Sequence, residues 1–206
     1  MDIHSALKLL RINLKHNFIP HAVIAVIVAV FTPLIITINS LDEKMAARPL
    51  EMMLSIVGII LLTPIFMPEQ NENIRDVIRS KKTDHTRVCI LRIFYSVAAL
   101  AILIGVFTIV MSFSGSCVTL RHFVGGFATA FFLGAIGILI AGISGNTTSA
   151  YMVSLIYYIA NFTLKDKLGY FYLFSMCSGS FKEKYCLIFS AAVMTIAGVA
   201  FNRLRK

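Results

Sequence analysis

Charge is the scarcest commodity in this chain. Only 14% of its 206 residues are Asp, Glu, Lys or Arg, against about 25% in an ordinary soluble domain. Tryptophan is absent, and there are 5 prolines. The four cysteines, at 89, 117, 177 and 186, form no C-x-x-C pair, which argues against a structural zinc site and a disulfide framework. No G-x-x-x-x-G-K-[ST] occurs, so ATP is not expected to bind through a P-loop of this chain. No H-E-x-x-H occurs either, and His4, His16, His21, His85 and His122 do not cluster at metal-ligand spacing. Catalytic and metal-binding residues are therefore assigned to none.

Apolar residues are abundant, at 58%, with a mean hydropathy of +0.82. One bilayer crossing takes about 20 apolar residues, and charges are costly in hydrocarbon, so uncharged intervals mark the crossings. They predict an all-α integral membrane protein, a single domain over 1–206. Six transmembrane helices are expected: Ile19–Ile38 with a kink at Pro33, the interval between Glu51 and Glu69, Ile93–Met111, Phe123–Ile143, Thr148–Leu164 and Cys186–Phe201. The turn sequence Ser144-Gly145-Asn146-Thr147 separates the fourth from the fifth. The first apolar run starts near residue 18 without a small-residue cleavage pattern, so no cleavable signal peptide is expected.

The net charge of +9 is read as basic ends of membrane helices rather than as a nucleic-acid surface. With both termini in the cytoplasm, 12 Lys/Arg fall inside and 7 outside, which favours a multi-pass protein of the cell membrane in that orientation. Residues 1–17 are expected to form an interfacial helix against membrane lipids. Ile3, Leu7, Leu10 and Leu14 step along one face, and Lys8, Arg11 and Lys15 along the next. On the outer side, 165–185 places the apolar stretch Leu168–Met176 between two charged clusters, as an outer or re-entrant segment. Cys177 and Cys186 both fall near that surface, where a bridge is possible in geometry but not implied.

Two further patterns concern packing and chemistry. Gly126, Ala130, Gly134, Gly137 and Ala141 form a small-residue row suited to close helix packing, within the chain more readily than at a dimer seam. Gly142-Ile143-Ser144-Gly145 matches the G-x-S-G of rhomboid proteases, but no histidine follows His122 to act as base. Two sequons, at Asn146 and Asn161, are read as accidental. No Asp or Glu is assigned to the interior of a crossing, so coupling to an ion gradient is not expected.

The cytoplasmic loop, 70–83, is the most specific feature. Ile74, Val77 and Ile78 give a short helix an apolar edge, with Arg75, Asp76 and Arg79 elsewhere on it. Acids stand toward its start and bases toward its end, as the helix dipole favours. Such an edge needs a lipid surface or a protein groove. Glu69 and Glu72, the helix Ile74–Arg79, Ser80 and Arg92, set in this order of elements, resemble the membrane permease subunit of a type-2 ABC exporter (ABC-2 family). Lys81 departs from the pattern, because the family often has proline there. The resemblance implies that Glu72, Ile74, Arg75, Asp76, Val77, Ile78, Arg79 and Ser80 dock on a separate cytoplasmic ABC ATPase that binds ATP and Mg. It implies a second permease subunit, identical or different, and export of a hydrophobic or amphipathic substrate such as a peptide, lipid or drug. The alternative is a non-transporting membrane scaffold or channel-like subunit.

Overall fold

The computed structural model describes residues 17–70 and 85–205. Among these residues every regular element is helical. Helix α1 is Ile19–Ile35 and α2 is Glu43–Arg48. A π-turn, Pro49–Met53, leads into α3, Leu54–Leu62, and a 3-10 segment, Thr63–Gln70, ends that rod. Helix α4 is His85–Phe113, α5 is Leu120–Ser144, α6 is Thr147–Leu164 and α7 is Lys182–Leu204. Two 3-10 turns, Lys165–Phe171 and Met176–Ser178, lie between α6 and α7.

Four stretches are long and apolar enough to cross a membrane: Glu43–Pro68, Val88–Phe113, Leu120–Ser144 and Lys182–Leu204. They mark the chain as a membrane protein. Helix α1 is apolar but only 17 residues long, and α6 begins on Thr147-Thr148-Ser149. Helix α1 stops at Ile35, three residues short of the expected Ile38. Pro33 sits in its last turn, and Ile36 turns extended (φ −124°, ψ 121°) while its amide still closes on the Thr32 carbonyl.

Burial sorts the four long stretches into two classes. In the apolar 18-residue window of Glu43–Pro68 and of Leu120–Ser144, 72% and 67% of the residues are buried, against only 22% and 28% in those of Val88–Phe113 and Lys182–Leu204. The first two form the centre and the others the rim. Leu34, Phe94, Ile102, Phe113 and Ile196 stand exposed around the rim. An exposed apolar belt of this kind suits hydrocarbon and would aggregate in water.

Glycine sets the spacing at the centre. A Cβ on Gly58 would collide with the Ala130 backbone, and one on Gly134 would strike Leu62 and the Gly58 carbonyl. Gly126 faces Leu50, and Gly137 faces Thr63. The matched pairs 50/126, 58/130 and 63/137 show α3 and α5 running parallel. Gly142 meets Gly198 in the same way, and Thr129 meets Lys184 nearer the starts of α5 and α7, so α7 runs parallel to both. Without a hydrophobic driving force between helices in lipid, close backbone approach supplies the attraction. Ala141, buried at 1% exposure, completes the row.

Helices α1, α4 and α6 run the opposite way. Phe18 packs edge-on against Tyr95 (4.9 Å), and Arg92 reaches the Ile65 carbonyl (3.1 Å). Asn17, Pro68 and Arg92 line one small cleft. At the other end, Ser116 Oγ accepts from the Leu41 amide (3.1 Å) and donates to the Ile38 carbonyl. Thus Asn17, Pro68, Gly145 and Arg205 share one end of the bundle, and 36–42, 114–119 and 165–181 share the other.

Candidate functional site

The expected coupling residues Glu72, Ile74, Arg75, Asp76, Val77, Ile78, Arg79 and Ser80 lie outside the described residues, as does the expected interfacial helix apart from Asn17. Arg92, the described residue of that pattern nearest the loop, is buried at 5% exposure and ties α4 to the 3-10 segment before it.

The main polar site lies at the other end. Glu51 occupies the π-turn of the rod and is fully buried. Its Oε1 accepts the Met176 amide (3.0 Å) and its Oε2 the Cys177 amide (3.1 Å). Lys184, in the first turn of α7, places Nζ 2.5 Å from Glu51 Oε1. The same ammonium donates to Thr129 Oγ1 (2.8 Å) and to the Leu173 carbonyl. Three N–H groups therefore meet three acceptors. Asn161, also buried, accepts the Leu173 amide on Oδ1 (2.9 Å) and donates to the Tyr157 carbonyl (2.8 Å). Tyr158 donates to the Met52 carbonyl, and Tyr157 to the Phe171 carbonyl (2.8 Å).

Together these bonds hold 171–177 against the helices around it. Leu173, Phe174 and Met176 are buried. This peptide is too short to satisfy its own amides, and unpaired amides are costly away from water. Side chains of Glu51, Asn161 and Lys184 supply the missing partners. The expectation that acids lie outside the crossings is thereby corrected: the rod starts at Glu43, so Glu51 sits within an apolar helical stretch. Lys184, read as a loop charge, is likewise inside α7 and buried. Both residues stand at the edges of uncharged intervals, and a charge at an edge is read as a boundary unless its partner is known.

His122 makes a second polar joint nearby. Its Nδ1 accepts the Thr119 amide (3.2 Å) and caps α5, leaving Nε2 to donate to the Glu43 carbonyl (2.8 Å). Among the described residues no group of His, Cys, Asp and Glu is placed to hold a metal ion. All four cysteines are free thiols, Cys177 and Cys186 included. Burial, reinforced by the neighbouring Glu51 carboxylate, pushes the Cys177 thiol well above its ordinary range.

Ser144 of the G-x-S-G sequence serves the end of α5. It donates to the Ile140 carbonyl (2.7 Å) and accepts the Asn146 amide (3.1 Å). Asn146 in turn caps α6 through the Thr148 amide (2.9 Å).

Among the described residues, cavities also border the bundle. One, of about 490 Å³, lies between α1 and α4 with Leu61 at its floor, lined by Ala25, Ala29, Leu103 and Phe107 among others. The second, of about 410 Å³, lies between the starts of α5 and α7. No protein family, curated protein or solved structure matches the chain.

Proposed function

We propose that this chain is the membrane-spanning permease subunit of an ABC exporter, powered by ATP hydrolysed on a separate cytoplasmic ATPase. The observation that carries the reading is the place where the loop leaves the bundle. Pro68 and Arg92 flank the loop and line one cleft with Asn17, at the end that Arg205 also occupies. The loop between them holds the acid-rich start, apolar edge and basic finish expected of a coupling helix. An apolar edge on a short helix calls for a groove to cover it.

In this reading the chain crosses the membrane six times, α1 and α6 included, with the termini and residues 70–83 in the cytoplasm. Two permease subunits, alike or different, assemble with two ATPases. The cavity between α1 and α4 is walled almost wholly by apolar side chains, which favours a hydrophobic or amphipathic cargo. The sequence carries no P-loop, and in this reading ATP and Mg belong to the partner.

The test is Val77→Asp with Ile78→Asp. Buried interface anchors typically cost about 2 kcal/mol or more when lost, so the pair should release the ATPase from the purified complex and stop transport. The membrane bundle should keep its wild-type melting temperature. Undiminished ATPase co-purification from such a folded variant would overturn the coupling assignment and favour the scaffold reading.

A further inference from the structure

The cavity between the starts of α5 and α7 has the chemistry of a lipid headgroup site. Arg121 and Val124 line one wall, and Phe181, Lys182, Lys184 and Tyr185 line the other. Lys184 is committed inward, its three N–H groups taken by Glu51, Thr129 and Leu173. Arg121 and Lys182 are exposed, and Lys182 lies within electrostatic reach of the Glu183 carboxylate. Glu183, beside them, accepts the Ser180 hydroxyl (2.6 Å). Glu183 offsets part of the Lys182 charge, so the cavity presents a net positive edge, led by Arg121, above apolar and aromatic walls.

Below it runs an apolar track. Tyr185, Phe189, Val193 and Ile196 follow one another at steps of four, four and three along α7, so they share one face. They are 73%, 73%, 51% and 71% exposed. Eleven residues of helix rise about 16 Å, roughly half of a hydrocarbon core about 30 Å thick. The track is thus one leaflet deep, with the cations at its head.

We infer that this cavity binds the phosphate headgroup of an anionic lipid, whose acyl chain lies along the Tyr185–Ile196 face of α7. The Arg121 guanidinium offers a planar fork to two phosphate oxygens, and Lys182 adds a point charge. Tyr185 suits the boundary between head and chain, as an aromatic with one polar tip. A small soluble anion would engage the rim and leave the track empty. The assignment stands whether or not the chain serves an ATPase.

The experiment uses the full chain in phosphatidylcholine nanodiscs containing a minority of phosphatidylglycerol, with native mass spectrometry of the released protein. Wild type should retain phosphatidylglycerol in preference to phosphatidylcholine. Two interfacial cations predict a loss of retention of about 30-fold in Arg121→Gln/Lys182→Gln. Lys165→Gln/Lys167→Gln, which removes the same charge outside the cavity, should retain the lipid. Should the first variant fail to fold, Arg121→Gln alone should show a smaller loss. Equal loss in both double variants would reduce the effect to general surface charge and overturn the site. Displacement of the lipid by millimolar glycerol phosphate, or unchanged retention in the folded cavity variants, would overturn it as well.

Discussion

The Lys184 ammonium stands 2.5 Å from Glu51 Oε1, and both side chains are sealed from solvent. The pair joins the rod at its π-turn to the first turn of α7. Through the Met176 and Cys177 amides, the same carboxylate also fastens the peptide between α6 and α7. Desolvating two ions costs several kcal/mol each, which attraction offsets only when every remaining donor and acceptor is satisfied. Here the ammonium meets three acceptors and each carboxylate oxygen meets an amide.

Removing one member should therefore be worse than removing both. Glu51→Ala or Lys184→Met should destabilise the protein by about 3–5 kcal/mol, because the surviving charge is left buried and alone. Glu51→Gln/Lys184→Met should recover a large part of that loss, since the amide can still accept one backbone N–H. Thermal unfolding in mild detergent measures both. Additive losses in the double variant would mean that the two charges are not coupled.

Gly134→Leu should abolish assembly of the bundle, because even a Cβ there meets Leu62 and the Gly58 carbonyl. Gly105→Ala is the contrasting case. Its Cβ would lie 3.5 Å from the Phe123 ring, an ordinary contact, and alanine favours a helix interior by about 1 kcal/mol. Yield and melting temperature should fall sharply in the first and hold or rise in the second. A well-folded Gly134→Leu protein would place the small-residue row away from α3.

Thiol labelling should separate the cysteines by rate. Cys117 is exposed and Cys89 buried at 1% exposure. Cys177 is partly accessible, but its raised pKa leaves little thiolate at neutral pH, and the thiolate is the nucleophile. A maleimide at pH 7 should modify Cys117 first, Cys177 slowly and Cys89 only on unfolding. Raising the pH should speed Cys177. In sealed cells an impermeant maleimide should reach Cys117 from outside; labelling only after lysis would invert the proposed orientation.

Asn161→Leu should loosen 171–177 without unfolding the helices. It removes the acceptor for the buried Leu173 amide, at a cost of about 1–3 kcal/mol for an orphaned group. Hydrogen exchange at Leu173 should accelerate while exchange in α5 stays slow. Unchanged protection of Leu173 would show that Asn161 does not hold this peptide.

Several features were legible in the residue order alone. Runs such as Ile93–Met111 and Phe123–Ile143 specify apolar helices because no charge interrupts them and hydrocarbon tolerates no unpaired backbone. The turn at Ser144–Thr147 carries its own capping side chains, so a local pattern marks it. Pro33 was legible only as a kink; that α1 stops at Ile35, short of Ile38, came from the structure.

Tertiary structure alone decided what Glu51 and Lys184 do, because their meaning lies in each other across 133 positions of chain. One-dimensional reading treats a charge beside an apolar run as the place where water begins. Only when α5 brings Thr129, and the folded 171–177 peptide brings its amides and carbonyl, does burial of both charges become affordable. The small-residue row shows the same division. Its spacing along α5 is visible in sequence, but its partner, α3 at Gly58 and Leu62, is a choice made by close packing among neighbouring apolar helices. Periodicity names a face; only shape complementarity names what fills it.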